Sequence, residues 1–126
     1  VSVLGRWRIV ETELWDTEAL DLVEPAFMEF GKDGMGRFGF IAVEGWMDCR
    51  HVERAGRSMV ESTWDGNDDC DHTSGRGWAE LQADGSLSGR IYFHLGDDSA
   101  FRAVRAKAQS NVVPACSSGR SLRLRR

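Results

Sequence analysis

The sequence predicts an all-β protein: an antiparallel up-and-down meander of seven to eight strands closing into a small barrel, with one short helical turn near residues 17–25. Three observations carry this expectation. Turn chemistry recurs at Lys32-Asp33-Gly34, Ala55-Gly56, Gly66-Asn67, Ala83-Asp84-Gly85 and Gly96-Asp97-Asp98, and such residues accept the positive φ angles that hairpins need. The segments between these turns are rich in Val, Ile, Phe, Tyr and Trp, which reads as a meander. Residues 87–95 give the cleanest period-2 signal, with Leu87, Gly89, Ile91, Phe93 and Leu95 alternating with Ser88, Arg90, Tyr92 and His94. That alternation assigns the apolar set to one face.

The elements follow in order. A first strand is read at about residues 5–14, from Gly5-Arg6-Trp7-Arg8-Ile9-Val10. Residues 17–25 suit one short helical turn, with Thr17 as its cap and Glu18 in its first turn. Leu20 and Val23 are three apart and can cover an open barrel end. A second strand follows at about 26–31, and a third begins near Gly36 and runs through Phe38, Phe40 and Ala42. Gly45 is read as its bend or break, because glycine inside a strand often marks a bulge. A fourth strand resumes at Trp46-Met47-Asp48-Cys49-Arg50, a fifth lies at about 58–64, and a sixth at about 76–82. The segment Ser99–Arg105 reads either as a helix capped by Ser99 or as an eighth strand. The strand is favoured, because it lets the meander close against its first strand. Residues 1–107 are thus expected to form a single β-barrel domain, and residues 108–126, which lack periodicity, a basic, disordered tail.

At 126 residues the chain is one domain by length. Apolar residues at 41% and charged residues at 29% are ordinary for a soluble globular protein, and exclude wholesale disorder, collagen and a coiled coil. No stretch approaches the roughly 20 apolar residues of a membrane span. The net charge of −4 hides an asymmetry. Residues 1–101 hold all 20 acidic residues against 9 Lys and Arg, a net −11, while residues 102–126 hold the other 7 bases, a net +7. Such a body repels nucleic acid and anionic membranes and attracts cations. The tail can do the opposite, although an unselected extension is the plainer account. The chain does not begin with Met, which suits a trimmed chain or an internal start, and Val1–Arg6 has no signal-peptide hydrophobic region. Three cysteines, Cys49, Cys70 and Cys116, are too few and odd in number for a disulfide framework. A reducing cytoplasm is the expected compartment.

The opening Gly5-Arg6-Trp7, inside the first strand of a meander, resembles the G-x-W signature of the calycin group, the lipocalins and their relatives. That resemblance implies a Trp plugging one barrel end with a basic side chain from the last strand lying across it. Arg102 or Arg105 would supply that partner by cation–π stacking. It also implies a cavity, without naming a ligand. The chain is shorter than a lipocalin and lacks a long C-terminal helix. The body is also similar to small uncharacterised bacterial proteins, at Glu44-Gly45-Trp46-Met47-Asp48-Cys49, Trp64–Asp68, Gly75–Trp78 and His94–Asp98. The basic tail suits a captured, mobile gene cassette.

Four constellations can carry chemistry. If the segment around Gly45 keeps one parity, Phe38, Phe40, Ala42, Glu44 and Trp46 share a face. Trp78 and Glu80 share a face of the sixth strand. With these turned inward, the barrel holds aromatic walls and carboxylates. That suits an organic cation, which ring faces attract by about 0.5–2 kcal/mol each. The plainer reading is a small barrel filled by its own tryptophans, with the glutamates in water. Cys-x-His occurs twice, as Cys49-Arg50-His51 and Cys70-Asp71-His72, a zinc-like set at an unusual spacing and more simply a coincidence. The run Asp65–Asp71 is oxygen-rich, but Cys70 and Arg76 stand where a calcium loop needs Gly and Glu, leaving a solvated hairpin loop. His94 near Asp97 and Asp98 suits acid–base work, yet no nucleophile stands at a recognisable spacing.

The leading expectation is therefore a non-enzymatic barrel binding a small molecule, an organic cation or an apolar ligand. Its site residues are Trp46, Trp78, Glu44, Tyr92 and His94. No catalytic residue, metal ligand or cofactor is assigned. A homodimeric protein-interaction module, and an enzyme using His94 with a carboxylate, are the rival readings.

Overall fold

Each turn returns the chain alongside the strand it has just left, and the last strand closes against the first. The computed structural model describes residues 2–69 and 71–106. Its eight strands are β1 (Gly5–Thr12), β2 (Phe27–Phe30), β3 (Met35–Phe40), β4 (Val43–Arg54), β5 (Arg57–Asp68), β6 (Asp71–Leu81), β7 (Leu87–Phe93) and β8 (Asp98–Arg105). They form a closed antiparallel barrel in chain order. The β1–β8 seam runs from Trp7 opposite Arg105 to Thr12 opposite Phe101, with a register shift between Ile9 and Glu11. Residues 98–105 are thus the closing strand and not a helix. The basic segment 108–126 lies outside the described residues. Among the described residues no helix is long and apolar enough to cross a membrane.

The helical turn is shorter than its sequence suggests. Helix α1 covers only Thr17–Leu20, and its cap is Asp16, whose side chain accepts from the Ala19 N–H at 3.0 Å. Leu20 is buried under the barrel end, whereas Val23 is 42% exposed. A carboxylate before the first turn outcompetes Thr17 because it adds the favourable interaction of a negative charge with the helix N-terminus.

The largest departure from the sequence reading lies at residues 41–45. The chain breaks at Ile41-Ala42, not at Gly45, and β4 runs unbroken through Gly45. Ile41 takes a φ of +55°, which is costly for a β-branched residue. Its N–H donates to the Leu20 carbonyl at 2.9 Å, so the region around α1 holds the turn in place. Gly45 has a packing role instead. A Cβ there would lie 2.4 Å from the Phe38 ring, so only glycine admits Phe38 to the core. A two-residue turn pairs Phe40 with Val43 and thereby exchanges parity. Even-numbered residues face inward on β3, and odd-numbered residues face inward on β4.

The acidic run 65–71 is likewise not a loop. Asn67 pairs with His72 and Asp68 with Asp71, so strand pairing runs through most of the run. The hairpin between β4 and β5 turns at Ala55-Gly56, both at positive φ, which matches the right-handed twist of its strands.

The interior is full. Phe38 stacks on Phe40 at 5.8 Å and meets Trp64 edge-on at 5.0 Å; Phe93 meets Trp64 edge-on at 5.2 Å. Trp15 covers this cluster from one end, 5.3 Å from Phe40. The alternation read in 87–93 holds, with Leu87 and Ile91 buried, but Leu95 leaves the strand and is 95% exposed in a turn. The void left among Phe38, Met47, Val60, Trp64 and Ile91 is about 10 Å³, room for one water at most.

At the other end, Trp7 is fully buried and its Nε1–H donates to the Val3 carbonyl at 2.9 Å. The Arg105 guanidinium lies 4.1 Å above the Trp7 ring and donates to the Leu4 and Ser2 carbonyls, both at 2.6 Å. Of the two arginines considered for this position, Arg105 takes it. Arg102 pairs with Glu11 instead.

Candidate functional site on the outer face

Because the inner face of β4 is odd-numbered, Trp46 and Glu44 point outward, and Trp46 is 46% exposed. Trp78 and Glu80 also lie on the outer side of β6, whose buried residue is Ala79. The expected inward set of Trp46, Trp78, Glu44 and Glu80 is therefore not formed. The two-residue turn, which the sequence did not signal, reverses it.

The outer faces of β4 to β7 instead form a groove of about 620 Å³. Strand register lays the residues of these outer faces out in two rows. One runs Asp48, Thr63, Arg76, Tyr92, and the other Arg50, Glu61, Trp78, Arg90. The inward positions beneath include glycines, and Gly89 shows why: a Cβ there would lie 2.0 Å from the Trp78 carbonyl. Close backbone approach at this point lets the sheet bend, and glycine is the residue that permits it.

Of the five residues selected from the sequence, Trp78 and Tyr92 line this groove. Glu44 sits opposite Gly39 of β3, near Glu24. Burial, and then the nearby Glu44 charge, raises the Glu24 pKa above its ordinary value, while Arg37 and Arg6 oppose the rise. Trp46 lies between Arg37 and Asp65 in register. His94 is exposed in the β7–β8 turn, with its backbone N–H on the Ser74 carbonyl at 2.8 Å. Of the two carboxylates expected beside it, Asp97 and Asp98, the second is engaged by Arg90, which also holds Glu13 at 3.1 Å. His94 makes no side-chain hydrogen bond or ion pair among the described residues.

The sequence reading missed Arg50, Arg76, Glu61, Thr63 and Asp48. A signal for two of them was present: alternation in 58–64 already set Glu61 and Thr63 on the face opposite Val60 and Trp64. The arginines needed the register. Every other described arginine has its charge or donors engaged. Arg6 and Arg37 flank Phe27 and share Glu29. Arg8 holds Asp21, Arg54 holds Glu61 and Arg57 holds Glu80. Arg90, Arg102 and Arg105 are engaged as above. Among the described residues Arg50 and Arg76 alone of the arginines make no ion pair or hydrogen bond, and both line the groove. Arg76 stacks on the Tyr92 ring at 4.6 Å.

The two Cys-x-His pairs do not meet. Cys49 is opposite Ser62 on β5, and His72 opposite Asn67. Five residues of strand separate those positions, roughly 17 Å. Cys70 lies outside the described residues. Burial first, then the charges of Asp48 and Asp33, pushes the Cys49 thiol up to about 11. No three His, Cys, Asp or Glu side chains gather among the described residues. A second opening, of about 500 Å³, lies at the Trp7 end between Val3, Lys32 and the hairpin residues His51 and Glu53. It has no Trp, Tyr or Phe in its walls.

No protein-family model matches the chain, and no curated protein or solved structure matches it.

Proposed function

We propose that this protein is a non-enzymatic small-molecule-binding β-barrel whose site is the outer groove over β4–β7. The observation that carries this reading is the contrast in space among the described residues: about 620 Å³ in an aromatic-walled groove outside against about 10 Å³ in the void between Phe38, Trp64 and Ile91. A groove of that volume falls in the ordinary range of ligand sites. The Gly5-Arg6-Trp7 start and the Arg105 stack support the likeness to calycins, but the filled interior argues for binding on the outside of the barrel. Catalysis has less support, since Asp98 is engaged by Arg90 and His94 stands outside the groove.

The test is chemical-shift mapping of the full chain against a library of small ring compounds, beside a native mass spectrum of the protein as purified. Perturbations converging on Trp78 and Tyr92 are the expected result. Perturbations confined to the Trp7 end, or a dimer mass with no response to any compound, would overturn the reading.

A further inference from the structure

We infer that the groove's ligand is a planar aromatic anion: its ring lies on Trp78, and its acidic group is held by Arg76 with Arg50. This rests on the groove being the binding site. It replaces the organic cation or apolar ligand that composition suggested.

Recognition is divided between a ring surface and an anion anchor. Trp78 is half-buried on the outer face, with its ring along the groove wall. Arg76 is two residues away on the same face of β6, about 7 Å along the strand. That offset matches a flat ring with a substituent at its rim. Arg76 is held by its stack on Tyr92, which restrains a long side chain while leaving its N–H fork unspent. A restrained fork loses less entropy on gripping a carboxylate or phosphate, and such charge-assisted bonds are the strong ones. Arg50 faces the same space two strands from Trp78.

The local charge favours an anion although the body is acidic. Glu61 is already held by Arg54 at 3.5 Å. That leaves Arg50 and Arg76 against Asp48, one positive charge in excess. Asp48, with Thr63 beside it in the row, is placed to accept from a hydroxyl or amino group on the ring. The other arginine–aromatic stacks show what a purely structural pair looks like. At Phe27 the guanidinium groups share Glu29, and at Trp7 the donors of Arg105 are spent on two carbonyls. The Arg76–Tyr92 stack leaves its donors for something outside the chain.

The experiment compares three probes of one shape on the full chain by calorimetric titration and chemical-shift mapping: 2-naphthoate, 2-naphthylmethanol and 2-naphthylmethylammonium. Each is run with the native protein, Arg76→Gln and Trp78→Leu, with circular dichroism confirming the fold of both variants. Naphthoate should bind at least about tenfold more tightly than the alcohol or the ammonium. Arg76→Gln should remove about tenfold from naphthoate alone, the scale of a lost charge-assisted bond. Trp78→Leu should weaken every probe that binds. Tighter binding of the ammonium, still dependent on Trp78, overturns the anion while sparing the groove. Naphthoate binding indifferent to Arg76→Gln overturns the anchor. Absence of Trp78-dependent binding by any of the three overturns both the ligand class and the groove.

Discussion

Of the four arginines that lie over aromatic rings among the described residues, Arg105 and Arg76 differ most in what else they do. Arg105 sits 4.1 Å over Trp7 and donates to two backbone carbonyls. Arg76 sits 4.6 Å over Tyr92 and donates to nothing among the described residues. The first stack ties the N-terminal segment Ser2–Leu4 across the barrel end, over a Trp with no exposed surface. The second stands on an open wall. The stacking attraction is of the same order in both, so the difference lies in hydrogen bonding. A guanidinium with its donors spent inside the chain stabilises the fold, whereas one with its donors free is available to a ligand.

Trp7→Ala against Trp78→Ala separates the two regions most sharply. Loss of a fully buried Trp should cost about 3–5 kcal/mol in urea unfolding, whereas loss of the half-buried Trp78 should cost no more than about 2. Equal costs would break the distinction between closing the barrel and lining the groove. Next in size, Arg105→Gln should cost about 1–3 kcal/mol, since it strips the partners from the Ser2 and Leu4 carbonyls. Arg76→Gln should leave stability within about 0.5 kcal/mol. A large loss on Arg76→Gln would make that residue a structural one. A third contrast uses the two buried tryptophans. Among the described residues the Trp64 Nε1–H has no hydrogen-bond partner, unlike that of Trp7. Trp7→Phe should therefore destabilise by about 1 kcal/mol more than Trp64→Phe.

The smallest effect lies away from both stacks, at Glu24. Its pKa is raised in the fold by burial and by Glu44, so the protonated form is the one the fold favours. Its contribution to stability is fully present below the ordinary value of 4.5 and is lost as pH rises through the raised value. Glu24→Gln should raise the Tm at pH 7 by no more than about 2 °C, and the gain should vanish at pH 4. A gain that persists at pH 4 would assign it to packing.

Much of the architecture was legible because hairpin turns and alternation are local signals. Ala55-Gly56 names its own turn, and Leu87–Phe93 names its own inner face. The same legibility failed at Ile41-Ala42, where a β-branched residue takes a positive φ because the Leu20 carbonyl receives its N–H. That contact joins residues far apart in the chain, so no window of sequence contains it. One unseen two-residue turn moved Glu44 and Trp46 from the expected interior to the surface.

The candidate site divides along the same line. Trp78 and Tyr92 were selected as aromatic residues on alternating strands, a choice that depends on composition and period alone. Arg50 and Arg76 were not, because an arginine's meaning depends on whether another residue has already engaged it. By itself the sequence determined an antiparallel meander of seven to eight strands and a short helical turn, since turn chemistry and period-2 patterning act within a few residues. Only the tertiary structure decided which face is inside, that the core is filled, and which two arginines among the described residues are left with their donors free. Those properties belong to pairs of residues on different strands, and closure of the barrel is what brings the pairs together.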